Sequence, residues 1–272
     1  MITAYHRPKT LDEALTLLTQ SNVIPLGGGT LLSHSTTDPV EAVDLQALGL
    51  DAVNKSGNNL EIGATVTLQQ LLESEHCPAT LKSALKLEAP LNLRNAATVA
   101  GTLVSCDGRS TFVSVLLALD AKLEIKSIDK FELIRMETES RPPKQDVATL
   151  GLGEFLPLRL DQIQGKLITL ITIPLNVKLA FDYVSRTPVD KPIVCAALAQ
   201  WNSGRTRLVL GGYGKSPMLA MDGTEAIGLE TASRNAFHEA TDEWASAEYR
   251  MDVAATLAKR CLEKIQQVTF LT

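Results

Sequence analysis

Three consecutive glycines, Gly27 to Gly29, are the residues whose type and spacing most directly suggest chemistry in this chain. They follow a short apolar run, Val23 to Leu26, whose composition predicts a strand. Because glycine has no Cβ, its backbone amides can converge on an anion, and it adopts positive φ without steric cost. A phosphate is the commonest such anion. The triplet alone leaves two interpretations open, namely a phosphate-binding loop or a tight turn that requires positive φ.

Other motifs for nucleotide, hydrolytic or metal chemistry are incomplete. The triplet is no dinucleotide fingerprint, because Leu32 stands where the third glycine belongs, and Gly214-Lys215-Ser216 lacks the earlier glycine of a Walker loop. There is no Gly-x-Ser-x-Gly elbow. The histidines and cysteines have no metal-ligand spacing, and His34, which follows the triplet, is better explained by a solvated or structural role. We therefore expect no metal and no catalytic constellation of the chain's own.

The composition indicates a globular protein of two or three domains. The chain has 272 residues, of which 45% are hydrophobic, and a net charge of −5 without a basic cluster, which argues against nucleic acid as the main partner. Neither a leader-like N-terminus nor an apolar run of about 18 residues is found. We expect a soluble cytoplasmic protein whose four cysteines are reduced.

Helix caps and apolar periodicity predict the order of elements. Two capping boxes, Thr10–Glu13 and Thr67–Gln70, begin helices. Further helices are predicted near Thr80–Glu88, Phe112–Leu119 and Glu248–Val268. The predicted strands are Val23–Leu26, Ala42–Leu45, Leu60–Ala64, Ala121–Ser127, Leu167–Ile173, Leu179–Ser185, Ile193–Trp201 and Thr206–Gly212. The charged stretch Ile128–Asp146 is predicted to be an exposed hairpin or excursion.

A second glycine-bearing segment, Leu93–Ser105, is predicted to be a loop, and it gives the chain a family resemblance. The strings PLGGGTLL at Pro25–Leu32 and LRNAATVAGTLVS at Leu93–Ser105 resemble the paired flavin-binding signatures of the FAD-binding medium subunit of molybdenum hydroxylases, the xanthine dehydrogenase and carbon monoxide dehydrogenase family. The similarity continues in the same order through YHRPKTLDEALTLL, EIGATVT, LLALDA, YVSRTPVDKPIVCAALA, LGGYGKSPMLA and ASAEYR. It therefore covers nearly the whole chain.

The resemblance implies an α+β fold of three domains. Two α/β subdomains, residues 1–55 and 56–174, would form a PCMH-type FAD-binding fold, and residues 175–272 would form a C-terminal domain with a three-stranded antiparallel sheet and helices. The two glycine-bearing segments, from different subdomains, could then bracket a diphosphate with backbone N–H donors.

The resemblance also implies which residues contact FAD. The first segment would hold the pyrophosphate through Leu26, Gly27, Gly28, Gly29, Thr30 and Leu31. The second would contact the ribityl and phosphates through Thr98, Val99, Ala100, Gly101 and Thr102, with Asp107, Thr111, Leu167 and Ile168 as further contacts. The chain departs from the family pattern at Ala100, Thr102, Thr111 and Asp182. A carboxylate at position 28 is expected to expel the flavin while the fold survives, and the Thr102 hydroxyl to bond the cofactor.

The function implied is an oxidoreductase subunit with non-covalent FAD. It would relay electrons from the [2Fe-2S] centres of a small iron–sulfur subunit, and ultimately from a large molybdopterin subunit, to an external acceptor. No residue would need to act as a general acid or base. Two alternatives remain: a structural subunit that kept the fold and lost FAD, or a stand-alone flavin oxidase.

Overall fold

The computed structural model describes residues 2–30, 39–128 and 144–269. Leu31, His34 and most of the predicted excursion Ile128–Asp146 lie outside these ranges. Within them, no helix is long and apolar enough to cross a membrane. The four cysteines are free and buried, and burial raises the pKa of Cys77 and Cys195 to about 12.

The first part of the chain forms a small parallel sheet covered by one helix. Its elements are β1 (Ile2–His6), α1 (Leu11–Leu18), β2 (Val23–Leu26) and β3 (Val40–Asp44), with strand order β1-β3-β2. Thr10 caps α1 by accepting a hydrogen bond from the Glu13 amide. The Glu13 carboxylate accepts from the Lys9 amide at 2.8 Å, so the predicted reciprocal capping box is shifted by one residue on that side.

The second part builds a five-stranded antiparallel sheet with strand order β4-β5-β8-β6-β7. Its strands are β4 (Val53–Ser56), β5 (Asn59–Gly63), β6 (Lys122–Ile128), β7 (Gln145–Gly151) and β8 (Lys166–Pro174). Its helices are α2 (Leu68–Glu73), α3 (Ala79–Glu88), α4 (Leu91–Arg94), α5 (Val99–Ser105), α6 (Thr111–Ala118) and α7 (Leu152–Ile163).

Several predictions for this second part are confirmed and one is wrong. The predicted strands coincide with β5, β6 and β8, and the Thr67–Gln70 capping box is formed from both sides. The second glycine-bearing segment is not a loop throughout, because a helix, α5, begins at Val99 behind the capping hydroxyl of Thr98. That threonine satisfies the amide of Gly101 and so allows the small residues to continue as a helix.

The third part is a four-stranded antiparallel sheet, not the three-stranded sheet predicted. The sheet has the order β12-β11-β10-β9 and comprises β9 (Val177–Val184), β10 (Val194–Trp201), β11 (Thr206–Gly211) and β12 (Met218–Gly223). Two helices follow, α8 (Leu229–Ala236) and α9 (Ala247–Thr269). The additional edge strand, β12, has no buried side chain, whereas β10 and β11 are almost wholly buried.

The third sheet joins the second part to the terminal helices because its side chains alternate between two cores. Ala197, Ala199 and Val209 belong to the core of the second part. Their neighbours Ala196 and Leu198 face the other way, into a core completed by α8 and α9. In α9, Leu257, Cys261 and Ile265, which are four residues apart and so share one face of the helix, are buried. The sheet is therefore held on both faces.

Candidate functional site

A cavity of about 440 Å³ lies between the first and second parts of the fold. One wall is β2 with the glycine loop, which we define as Gly27–Leu31 and which the structure describes as far as Thr30. The opposite walls come from one face of α5, the end of α7 and the beginning of β8. This volume falls in the usual range for small-molecule and cofactor sites.

The glycine loop offers unused hydrogen-bond donors to this cavity. Gly27, Gly28 and Gly29 all line it, and their amides donate to no protein acceptor in the described part of the chain. Gly29 has φ +69°. One glycine of the triplet therefore adopts the positive φ of a tight turn, which was one of the two interpretations that the sequence left open. The loop therefore combines a turn with three donors that still need a partner.

Close packing against the second signature fixes the position of the glycine loop. A Cβ added at Gly28 would lie 1.6 Å from the carbonyl oxygen of Ala96, and one at Gly27 would lie 2.7 Å from the Thr98 hydroxyl oxygen. No side chain fits in either place. The two glycines thus let the signature segments touch, which is a structural requirement separate from anion binding.

The amides of Val99 to Thr102 in the second signature are already bonded within the protein. Val99 N donates to Val66 O at 2.8 Å, and Ala100 N donates to Ala64 O at 3.2 Å. The amides of Gly101 and Thr102 donate to the side chain and carbonyl oxygen of Thr98. The Thr98 amide, by contrast, donates to no protein acceptor in the described part of the chain, and Thr98 lines the cavity. Bracketing of a diphosphate by amides from both segments therefore stays a prediction, to which the second segment could contribute the Thr98 amide.

The structure brings most, but not all, of the predicted site residues to the cavity. Those that line it are Leu26, Gly27, Gly28, Gly29, Thr30, Thr98, Ala100, Gly101, Leu167 and Ile168. Leu31 lies outside the described residues. Val99 is fully buried in the core of the second part and does not line the cavity.

Three other predicted residues are engaged elsewhere. The Thr102 hydroxyl donates to Thr98 O at 2.8 Å. Asp107 forms an ion pair of 3.0 Å with Lys191. Thr111 is buried and donates to Ala84 O at 2.8 Å. None of the three lines the cavity, so their hydrogen bonds support the fold around it.

Sequence reasoning included Leu167 and Ile168 at the beginning of β8 but missed the end of α7 and Lys166. Leu160, Ile163 and Lys166 line the cavity from this side. Lys166 is the one charged residue among the described residues of the lining, which contain no carboxylate. The site is thus apolar, with free amides at one place and one ammonium group at another, and it holds no acid–base pair.

No metal centre accompanies this cavity in the described ranges. No group of three or more histidine, cysteine, aspartate or glutamate side chains there could hold a metal ion. The departure at position 182 also has a structural partner, since Asp182 forms an ion pair of 3.1 Å with Lys264 on α9. Its carboxylate thus contributes to the third part of the fold.

Comparison with known proteins relates the whole chain to one group of oxidoreductases. Residues 1–176 match the family described as the FAD binding domain in molybdopterin dehydrogenase. The uncharacterized protein YgfM of Escherichia coli is 27% identical over 275 residues, 98% of each chain. The glyceraldehyde dehydrogenase medium chain of Sulfolobus acidocaldarius is 27% identical over 235 residues, 80% of this chain and 78% of that one.

A solved structure shows the same fold. A chain of the reconstituted CO dehydrogenase from Oligotropha carboxidovorans superposes with a TM-score of 0.77 at 23% identity, over 97% of both chains. The predicted mixed helix-and-sheet fold is therefore confirmed over nearly the full length. Since the family match spans residues 1–176 of 272, the chain belongs to the family of FAD-binding subunits of the molybdenum hydroxylases, the molybdopterin dehydrogenases.

Proposed function

We propose that this chain holds FAD non-covalently in the cavity between its first two parts, as the electron-transfer subunit of a molybdenum hydroxylase. Electrons would pass from iron–sulfur centres on a small partner subunit, which are fed by a molybdopterin site on a large partner subunit, to an external acceptor. The domain limits 1–55, 56–174 and 175–272 are part of this proposal, as is a cytoplasmic location.

The observation that carries the proposal is that the amides of Gly27, Gly28 and Gly29, beside an apolar cavity, donate to no acceptor among the residues that the structure describes. A pyrophosphate accepts hydrogen bonds from converging amides, while the rings of a flavin dinucleotide are compatible with apolar walls. The lining contributes an ammonium group, Lys166, and no described carboxylate that would repel phosphate. The residues present therefore fit FAD.

The chain's own task would be to bind and orient this cofactor. FAD, when bound, supplies the redox chemistry, and the protein supplies position and electrostatics. The described lining of the cavity holds no titratable group other than Lys166, which fits a site that moves electrons without a general acid or base. Partner subunits are supported by relatives whose names designate medium chains or an FAD-subunit.

The first test is the visible absorption spectrum of the purified chain before and after incubation with FAD. A bound flavin is expected to give its characteristic bands and to remain with the protein through gel filtration. A chain that stays colourless at every FAD concentration would contradict the proposal and favour the structural subunit without cofactor.

A second test addresses the relay. When the chain is co-expressed with candidate small and large subunits, affinity purification is expected to recover a complex that contains iron and molybdenum. Recovery of the chain alone, together with substrate turnover by the isolated flavoprotein, would contradict the relay and favour a stand-alone flavin oxidase.

A further inference from the structure

The outer wall of the cavity is made by the second half of a broken helix. Pro157 lies inside α7, and the next residue, Leu158, has non-helical dihedrals of φ −115° and ψ 15°. A proline removes one backbone donor and crowds the preceding turn, so the helix is interrupted there. The first half is anchored by the buried residues Leu152, Phe155 and Leu156, whereas the second half, 159–163, lies at the surface.

Two exposed leucines lie in this region, and only one of them lines the cavity. Leu160 lines the cavity and is nevertheless 73% exposed, while Leu158 is 54% exposed and does not line it. A single exposed leucine is ordinary on a protein surface. Leu160, however, lines an apolar cavity together with Ile163 and Val104. A ring of a bound ligand could pack against it there, and both surfaces would then be shielded from water.

Arg159 holds this half of the helix in place. Its guanidinium donates to Val104 O, Cys106 O and Lys215 O, each at 2.9 Å. Val104 and Cys106 lie at the end of α5 and just beyond it, and Lys215 lies in the third part of the fold. A planar fork with five donors suits several carbonyl groups at once, and lysine does not reproduce it. The cavity wall is thus tied to the end of α5 in its own part and to the third part of the protein.

We propose that Leu160 is a specificity-determining residue that packs against an uncharged aromatic ring of the bound dinucleotide, and that Arg159 is the residue that positions it. The inference rests on the proposed function, because it takes the ligand of the cavity to be FAD. The ring is either the purine or the isoalloxazine, which offer the same apolar face to a leucine.

The test compares Leu160→Ser with the matched control Leu158→Ser in the full chain. FAD affinity is measured by the quenching of flavin fluorescence, and thermal unfolding is followed in parallel. We expect Leu160→Ser to weaken FAD binding about tenfold through lost apolar contact, and Leu158→Ser to change it by less than about twofold. Because both side chains are largely exposed, both variants should unfold near the wild-type temperature.

Competition identifies which ring is covered. If Leu160→Ser weakens ADP binding as strongly as FAD binding, the purine lies against the leucine. If ADP binding is unchanged and FAD and FMN binding are weakened, the isoalloxazine does. Equal FAD affinity for the wild type and Leu160→Ser overturns the inference while the proposed function stands. A wild-type chain that binds no FAD overturns both.

The positioning role is tested with Arg159→Lys, which keeps the positive charge and removes the planar guanidinium that donates to three carbonyl oxygens. We expect about a fivefold weaker FAD affinity and faster hydrogen exchange confined to residues 158–165, because carbonyl contacts are lost. If this variant keeps wild-type affinity while Leu160→Ser loses it, the role of Arg159 is overturned and that of Leu160 is kept.

Discussion

Gly28 packs so closely on Ala96 that an added Cβ would lie 1.6 Å from the Ala96 carbonyl oxygen. Any side chain at position 28 must therefore push the glycine loop and the second signature apart. Overpacking of this kind costs about 1–3 kcal/mol or more. The expectation that Gly28→Asp would expel flavin without harming the fold is wrong on this geometry.

The corresponding prediction concerns Gly28→Ala, which adds a methyl group and no charge. Because the methyl group cannot fit beside Ala96, we expect a lower unfolding temperature even in the absence of FAD. Differential scanning calorimetry measures this directly. A matched control is Gly153→Ala, whose added Cβ would meet only a side-chain carbon of Leu117 at 3.5 Å. Equal unfolding temperatures for the two variants would contradict the packing argument.

Thr98 joins the two signature segments and caps α5. Its hydroxyl accepts from the Gly101 amide at 3.2 Å, and the residue is buried. Thr98→Val should lower the free energy of unfolding by about 1 kcal/mol, since an N-cap acceptor is lost. Thr98→Ser keeps the oxygen and should recover most of this difference in urea titrations. If serine and valine are equally destabilising, the cap is not the cause.

For Thr102, the structure and the family pattern predict different partners for the hydroxyl group. Its hydroxyl donates to Thr98 O at 2.8 Å and does not face the cavity lining. We expect Thr102→Val to leave the dissociation constant for FAD unchanged. A loss equivalent to one hydrogen bond, about 0.5–1.5 kcal/mol, would instead show that the hydroxyl contacts the cofactor, as the sequence alone suggested.

The second signature could be located from the sequence, but its cavity-facing and core-facing residues could not be told apart, because that distinction depends on the helical period. Once a helix begins behind Thr98, Val99 and Leu103 face the core. Ala100, Gly101 and Val104 then face the cavity. Residues four apart share a face of a helix, so a loop interpretation could not separate Val99 from Ala100. The short-range signals, which are the glycines and a capping threonine, locate the segment in the sequence. They do not show which of its side chains face the cavity and which face the core.

Residues that reach the cavity through long-range pairing could not be predicted from local pattern. Lys166, which was not predicted, lies at the beginning of β8 and is placed there by pairing with Ser127 of β6. The helix before this residue is broken at Pro157, so its apolar period is interrupted. Most strands follow from periodicity and the fold class from the family resemblance, whereas this wall depends on contacts between distant segments.

Lys166 gives a prediction about electrostatics at the cavity. It is the one charged residue in the described lining and it is exposed, so its attraction for the FAD phosphates is modest, about 0.2–1 kcal/mol. Lys166→Gln should weaken FAD binding by about that amount and reduce its dependence on salt, because exposed charges are screened. Lys55→Gln, on the exposed face of β4, serves as the control and should leave both quantities unchanged. An identical salt dependence in all three proteins would remove Lys166 from the site.

Glu88 gives a prediction about pH. Its carboxylate accepts hydrogen bonds from the Ser110 hydroxyl and the Phe112 amide, both at 2.9 Å, at the beginning of α6. Burial raises the pKa of Glu88 above its usual value of 4.5, although these hydrogen bonds and the charge of Lys191 act in the opposite direction. The folded protein therefore retains a proton that the unfolded chain has already lost in the window above pH 4.5.

Because the folded state binds more protons in that window, the free energy of unfolding should fall as the pH rises from 4.5 through the raised pKa. Glu88→Gln cannot titrate and removes this contribution, although it adds a constant offset from its altered hydrogen bonds. We expect the stability of the glutamine variant relative to the wild type to increase over the window. Urea unfolding at a series of pH values measures it, and parallel curves for the two proteins would show that Glu88 keeps the same pKa in both states.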